Sequence, residues 1–238
     1  MKKIYSVVAV FATMVIMLVS CSDMNDKHDI YLAQGERIYI GKVDSLKIFP
    51  GDKRVKVRFW ASDPRCNRVG FLWSPFNDSI FVDIKKASSI DSFEVVIGGT
   101  NSGKIIDEGS YTLTALTYDS KGHSSVPFEK IINVYGDRYR SSLTNRVMLS
   151  KVYVAATGTL LINFGAQINK SDQGIQLHYT DRAGNVKDSL LVNGTITSAP
   201  IELLNVDGTK EVSYQTLYLP EPSAMDVFKA KARVIQLN

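Results

Sequence analysis

The chain has 238 residues, with 28 Lys and Arg against 24 Asp and Glu, which gives a formal net charge of +4. Because positive and negative charges are nearly balanced, the composition gives no basis for expecting a nucleic-acid partner, and we predict none. The chain contains only two cysteines, which allow at most one disulfide, so stability must come from packed apolar cores.

The first 20 residues have the pattern of a signal peptide. Lys2 and Lys3 are followed by an uncharged, mostly apolar run from residue 4 to residue 20, and Cys21 comes next. A basic start, an apolar stretch and small residues before a cleavage point are typical of such peptides. The alternative is a transmembrane helix, which needs about 20 apolar residues. Removal of residues 1–20 would lower the formal charge to +2, with 26 basic and 24 acidic residues.

The residues Leu18-Val19-Ser20-Cys21 resemble the bacterial lipobox. This resemblance implies that Cys21 becomes the acylated first residue, so the membrane is a partner through a lipid anchor. Residues 21–36 are predicted to form a polar tether, because they are rich in charged and polar side chains. Its acidic residues resemble the surface-export signal of Bacteroidetes lipoproteins. We therefore expect a cell-envelope, outer-membrane lipoprotein that is exposed on the surface, with periplasmic retention as the alternative.

Short runs with strand character begin after the tether. Residues 55–59 alternate, so Val55, Val57 and Phe59 share one face, and residues 111–118 alternate over a longer stretch. Further runs, separated by turn residues, are residues 71–73, 81–84 and 93–97. Short strands at such spacing predict an all-β sandwich or barrel.

A second set of strands follows the polar residues 136–146, so we predict domains at residues 37–140 and 141–238. The predicted strands of the second set are residues 147–155, 159–164, 174–180, 187–192, 201–204, 212–219 and 228–237. Residues 224–232 fit either a short helix or part of the final strand. The order of strands and turns is similar in the two sets, which indicates a weak internal repeat.

The stretch from Gly109 to Ser125 resembles the sixth strand and following turn of fibronectin type III domains. The resemblance implies that Tyr111 is the tyrosine corner, whose hydroxyl bonds back to the backbone. It also implies that Trp60 is the core tryptophan of the second strand. The predicted fold class is therefore all-β, with two tandem immunoglobulin or fibronectin type III-like β-sandwiches after a lipoprotein signal peptide.

Most of the mature chain is also similar to a Bacteroidetes lipoprotein family, the domain of unknown function 4998. The matching segments are residues 35–39, 50–54, 108–111, 134–136, 145–146 and 218–222, with Tyr139, Asp226 and Phe228. That family has no established activity, so the resemblance implies location and fold more than function. Its members occur in bacteria that harvest glycans, which suggests glycan capture.

No constellation of residues indicates catalysis, a metal or a cofactor. His28, His123 and His178 are scattered, without metal-ligand spacing. Asp107 and Glu108 would be half of a glycosidase carboxylate pair, although acidic residues are ordinary before a strand. With Cys21 lipidated, the remaining Cys66 is expected to be a free, partly buried thiol. We predict that the protein is not an enzyme.

Aromatic residues are the candidates for ligand contact. Trp73 and Phe76 lie where a predicted strand enters a loop, and an exposed pair there would form a platform for sugar rings. Core packing is the alternative for each ring, and Tyr139 and Tyr179 are further aromatic candidates. The predicted function is accessory binding without catalysis, with a glycan or an outer-membrane protein as partner. The alternative is an adhesin or a fimbrial or scaffold subunit that donates its terminal strand, residues 231–237.

Overall fold

Antiparallel strands make up most of the structure. The computed structural model describes residues 38–75, 78–86, 91–100, 103–196 and 199–237, and the described residues from Ile40 onward form one compact unit. The predicted signal peptide, Cys21, the predicted tether and Phe76 lie outside the described residues. Within the described ranges, no helix is both long enough and apolar enough to cross a membrane.

The first half contains two facing sheets. One has three strands in the order β1-β2-β5, and the other has four in the order β4-β3-β6-β7. All neighbours in these sheets are antiparallel. The strands are β1 Ser45–Gly51, β2 Arg54–Ala61, β3 Arg68–Ser74, β4 Asp78–Asp83, β5 Asp91–Gly98, β6 Gly109–Tyr118 and β7 Phe128–Val134. The prediction of an all-β sandwich is confirmed.

The inward side chains of both sheets form one apolar core. Val55, Val57 and Phe59 are fully buried, as the alternation of β2 predicts. From the facing sheet, Phe71 packs edge-on against Phe59, with ring centroids 5.2 Å apart. Trp73 from β3 lies in the same cluster. Burial of this set supplies the main driving force for folding of the first half.

Trp60 does not belong to this core, so that prediction is wrong. Trp60 follows Phe59, and successive side chains of a strand point to opposite faces of the sheet. Its ring is therefore half-buried on the outer face of β2, where the Lys47 ammonium lies 5.6 Å from the ring centroid. Phe59 and Trp73 take the core positions instead.

The second half repeats this strand order. Its three-stranded sheet is β12-β9-β8, and its second sheet is β11-β10-β13, with both β14 and β15 paired to β13. The strands are β8 Met148–Val154, β9 Thr159–Phe164, β10 Asp172–Thr180, β11 Val186–Val192, β12 Ile201–Leu203, β13 Val212–Tyr218, β14 Phe228–Lys229 and β15 Arg233–Ile235. Each sheet of the first half thus has a counterpart with equivalent pairing, which confirms the predicted repeat. The placement of a domain boundary at residue 140 stays a prediction.

The polar residues between the two halves are more structured than the sequence suggested. Asp137–Ser142 forms a short helix, α1. Its Tyr139 packs with Tyr135 and Phe228, with ring centroids 4.9 and 5.1 Å away. These rings form a small third apolar cluster at the junction of the two halves.

The end of the chain is extended rather than helical. Residues 224–232 contain the two-residue strand Phe228–Lys229, so the strand interpretation of this segment is the correct one. The last strand, β15, pairs with β13 of the same chain, and its Ile235 is 2% exposed. The segment that strand donation would need is therefore paired within its own sheet.

Candidate ligand-binding site

The sequence-predicted contact residues do not form an exposed platform. Trp73 is 2% exposed and lies in the first core, and a buried ring has no free face for a ligand. Core packing, the alternative considered for this residue, is what the structure has. Phe76 and Cys21, the predicted lipidation residue, lie outside the described residues. Tyr139 packs in the junction cluster, and Tyr179 is partly buried against the second core.

The acidic pair before β6 has structural roles. The Glu108 carboxylate accepts hydrogen bonds from the backbone N–H groups of Arg138 and Tyr139, at 2.7 and 2.8 Å. These N–H groups lie at the start of α1, where a helix leaves donors without partners. The carbonyl oxygen of Asp107 accepts a hydrogen bond from the Tyr111 hydroxyl at 2.8 Å. The predicted tyrosine corner is therefore confirmed.

Among the residues that the structure describes, Cys66, His123 and His178 offer no further site. The Cys66 thiol is free and buried, and burial raises its pKa. A thiol with a raised pKa is a poor nucleophile. In the described ranges, no three or more His, Cys, Asp or Glu side chains are grouped so that they could hold a metal ion.

An aromatic pair lies on the outer face of the four-stranded sheet. Phe81 on β4 is 52% exposed, and Tyr118 at the end of β6 is half-buried. Their ring centroids are 5.9 Å apart and the rings are inclined by 55°. Aromatic pairs prefer separations in this range, so each ring supports the position of the other.

Gly70 on β3 lets the two rings come together. It lies opposite Phe81 on β4 in the strand register. A Cβ atom at Gly70 would lie 2.7 Å from Cε1 of Phe81 and 3.1 Å from Cε2 of Tyr118. A glycine inside a strand often marks such a close approach. The missing side chain leaves room for both rings to lie across β3.

Polar groups surround this aromatic pair. Arg68 on β3 donates from Nε to Oδ1 of Asp83 on β4, at 2.6 Å. The Arg68 guanidinium holds the pKa of Asp83 below its usual range. Asn67 and Lys85 complete one side of a groove of about 680 Å³ that Phe81 and Tyr118 also line. The groove thus combines apolar ring surface with fixed donors and acceptors.

The turn after β6 also lines the groove, through Asp119, Ser120 and Gly122. Asp119 accepts hydrogen bonds from the backbone N–H groups of Lys121 and His123, both at 2.9 Å. Nδ1 of His123 lies 2.8 Å from Oδ2 of Asp119. Burial acts to raise the pKa of Asp119, but the hydrogen bonds from His123 and Lys121 lower it on balance. Asp119 is therefore held as a carboxylate in a defined position.

Comparison with protein families assigns the chain. A family model described as a domain of unknown function, DUF4998, matches residues 21–228. The chain belongs to this family. Comparison with curated proteins finds no similar sequence.

Solved structures with detectable similarity to this DUF4998 member include fibronectin type III proteins. A two-domain fibronectin type III segment of chicken tenascin matches with 9% identity and a TM-score of 0.32, over 82% of this chain and 98% of that one. The FN1–FN3 domains of chicken CNTN1 match with 12% identity and a TM-score of 0.41, over 84% of this chain and 66% of that one. Dimeric latent PorU from Porphyromonas gingivalis matches with 11% identity and a TM-score of 0.29, over 81% of this chain and 20% of that one. All three scores are below 0.5, so the fold is assigned from the strand order described above.

Sequence reasoning about this DUF4998 member missed the Phe81–Tyr118 pair. The alternation of residues 111–118 places Tyr118 on the face opposite Tyr111, and that part of the signal was available. The contact itself depends on the register of three strands, β4, β3 and β6. Gly70, which directly precedes the predicted run of residues 71–73 and lies within β3, was the remaining signal, because a glycine within a strand often marks a close approach of other groups.

Proposed function

We propose that this protein is a non-catalytic binding module that holds a glycan on the Phe81–Tyr118 platform. The observation that carries the proposal is the exposed aromatic pair over Gly70, within a groove lined by polar side chains. A fibronectin type III-like sandwich suits a binding or scaffold module, because its rigid sheets fix the side chains on their outer faces.

The chemistry of the groove suits a sugar ligand. A pyranose ring has an apolar face of C–H groups, which packs on an aromatic ring, and a rim of hydroxyls that need hydrogen-bond partners. Phe81 supplies the exposed ring, and the exposed side chains of Arg68 and Asp83 supply a donor and an acceptor in the same groove. Because Arg68 and Asp83 neutralise each other, the groove suits an uncharged glycan better than an ionic one.

We also propose that the protein acts from the cell envelope, anchored by lipid on Cys21 and displayed at the surface. The support is the sequence pattern of residues 1–36: a basic start, an apolar run, a lipobox-like cysteine and a polar tether. An anchor of this kind keeps a binding module at the membrane while leaving its sandwich in water. A glycan captured there would be concentrated near outer-membrane protein partners.

A glycan array tests the binding function. The purified full chain is compared with Phe81→Ala, Phe81→Trp and Leu190→Ala. Leu190 is a matched control, because it is 60% exposed and lies on β11, the counterpart of β4 in the second half. We expect neutral oligosaccharides to bind the full chain and Phe81→Trp. In Phe81→Ala, the free energy of binding should weaken by about 1 kcal/mol or more. Leu190→Ala should bind like the unmodified chain.

Two results would contradict the proposal. Equal binding by Phe81→Ala and Leu190→Ala would place the ligand elsewhere. No binding to any neutral glycan, with the β-sheet circular dichroism unchanged, would remove the glycan function and favour a scaffold or adhesin subunit.

A further inference from the structure

The outer face of the sheet β1-β2-β5 carries a second cluster of charged and aromatic side chains. It lies on the opposite side of the first sandwich from Phe81. The strand register places Lys47, Arg58 and Glu94 in one row across the three strands. The neighbouring row contains Phe49 and Lys56 together with Val96, and the row on the other side contains Trp60. We call the set Lys47, Phe49, Lys56, Arg58 and Trp60 the basic face.

The aromatic rings of the basic face position its cations. The Lys47 ammonium lies 5.6 Å from the centroid of Trp60. The Lys56 ammonium and the Arg58 guanidinium lie 4.8 and 5.5 Å from the centroid of Phe49. A cation over an aromatic face is attracted by the negative charge density of the ring. The long basic side chains are therefore held over the sheet.

Positive charge is in excess on this face. Glu94 is the only acidic residue in these rows, and it faces Arg58, whose Nε lies 2.6 Å from Oε1. Lys56 is more distant from the same carboxylate, at 3.7 Å. Lys47 is exposed and forms no ion pair with any residue in the ranges that the structure describes. Three cations against one carboxylate leave a local formal charge of +2.

We propose that the basic face binds a strand of anionic polysaccharide. Carboxylate and sulfate groups are good acceptors for Arg and Lys, and charged hydrogen bonds are the strong ones. Side chains on one face of a strand recur about every 6.6 Å, and neighbouring strands lie about 4.8 Å apart. The cations therefore form an open, flat array that suits repeated charges on an extended chain.

The composition of the face favours a polyanion over a membrane surface. A protein segment that enters a bilayer interface presents exposed apolar side chains beneath its charges. Here Phe49 and Trp60 are half-buried beneath the cations, and Val96 is 36% exposed. Lys47 is exposed and the Arg58 side chain is 40% exposed, so a ligand on this face meets positive charge.

Affinity electrophoresis of the purified full chain tests this site with three polymers: polygalacturonate, dextran sulfate and uncharged dextran. The triple variant Lys47→Gln, Lys56→Gln, Arg58→Gln removes the cations. The control triple variant Lys151→Gln, Lys187→Gln, Lys229→Gln removes the same charge from strands of the second half. We expect both polyanions to retard the unmodified chain and the control, and the first triple variant to bind them about tenfold more weakly. Retardation should also decrease as salt rises, because salt screens exposed charges.

Glu94→Gln gives a gain-of-function test that loss of folding cannot imitate. Removing this carboxylate frees Arg58 and raises the local charge, so polyanion affinity should increase about threefold. Phe81→Ala should leave polyanion binding unchanged, which separates this site from the proposed glycan platform. Equal polyanion binding by the two triple variants would overturn the inference. Absence of polyanion binding, with or without binding to phosphatidylglycerol vesicles, would overturn it as well.

Discussion

Arg146 and Asp172 form a buried ion pair in the second half of the molecule. Nε of Arg146 lies 2.6 Å from Oδ2 of Asp172, and Nη2 lies 2.8 Å from Oδ1. The two side chains are 2% and 0% exposed. The carboxylate also accepts hydrogen bonds from the backbone N–H groups of Ile168 and Gly174, at 3.1 and 3.0 Å. The pair thus joins the segment before β8 to the first residue of β10.

Removing one member of this pair should be strongly destabilising. Arg146→Met leaves the Asp172 charge buried without its partner, and such changes cost about 3–5 kcal/mol. Urea denaturation measures the free energy of unfolding. The free energy of unfolding should fall less in the double variant Arg146→Met, Asp172→Leu than in Arg146→Met alone. Lys187→Met is the control, because the Lys187 side chain is 50% exposed and its ion pair with Asp181 is long, at 3.7 Å. A loss below about 1 kcal/mol in Arg146→Met would contradict this account.

Tyr111→Phe should test the tyrosine corner. The substitution removes the hydrogen bond to the Asp107 carbonyl and leaves the ring in the core, so we expect a loss of about 1 kcal/mol. Tyr179→Phe is a matched control, since the Tyr179 hydroxyl has no hydrogen bond within the part of the chain that the structure describes. Equal thermal stability of the two variants would show that the corner bond contributes nothing.

Acid should weaken the contact between Asp226 and Arg54. The Arg54 guanidinium donates to the Asp226 carboxylate, with Nε 2.8 Å from Oδ2, and lowers the pKa of Asp226 although burial opposes this. The backbone N–H of Asp52 donates to the same oxygen at 2.9 Å. Because the pKa is lower in the folded than in the unfolded chain, about 4, this stabilisation is present above pH 4 and is lost as pH falls through the folded pKa.

Asp226→Asn should therefore be less stable than the unmodified chain at neutral pH, and the difference should decrease below about pH 4. Denaturation midpoints across the acid range measure this. Glu129→Gln is the control, because Glu129 is exposed on β7 and forms no ion pair among the described residues. If the stability difference between Asp226→Asn and the unmodified chain stays constant down to about pH 2, the ion pair between Asp226 and Arg54 is not its cause.

Gly70→Ala should separate binding from stability. The added methyl group would lie 2.7 Å from the Phe81 ring, which is exposed and can rotate away from β3. The free energy of unfolding should fall by less than about 1 kcal/mol, as for most surface changes. Glycan affinity should fall as far as in Phe81→Ala, because the ring pair is disrupted. Unchanged affinity would show that the spacing of the two rings is irrelevant.

The sequence predicted the strands well and the side-chain faces less well. Thr159–Phe164 has the predicted bounds, and the alternation of Val55, Val57 and Phe59 correctly gave one buried face. The same alternation places Trp60 on the opposite face, so the family resemblance misled where the period-two pattern did not. Local periodicity is a property of one strand, and it can be read from consecutive residues.

The candidate site depends on contacts between strands that are distant in sequence. Phe81 and Tyr118 meet because β4 and β6 both pair with β3, and no local pattern contains that register. Trp73 was a reasonable candidate by type and by its position at a strand end, yet it points inward. Helix α1 was missed because six residues carry little periodicity, and Glu108, which caps it, is 30 residues from Arg138 along the chain.

The most direct test of the glycan platform is NMR mapping of its location. Backbone amide resonances of the full chain are followed while the neutral oligosaccharide that binds best on the array is added. We predict that the largest shifts occur at Gly70, Phe81 and Tyr118, and that they disappear in Phe81→Ala. Shifts confined to the second half, or equal shifts in Phe81→Ala, would contradict the assignment of the Phe81–Tyr118 pair as the binding site.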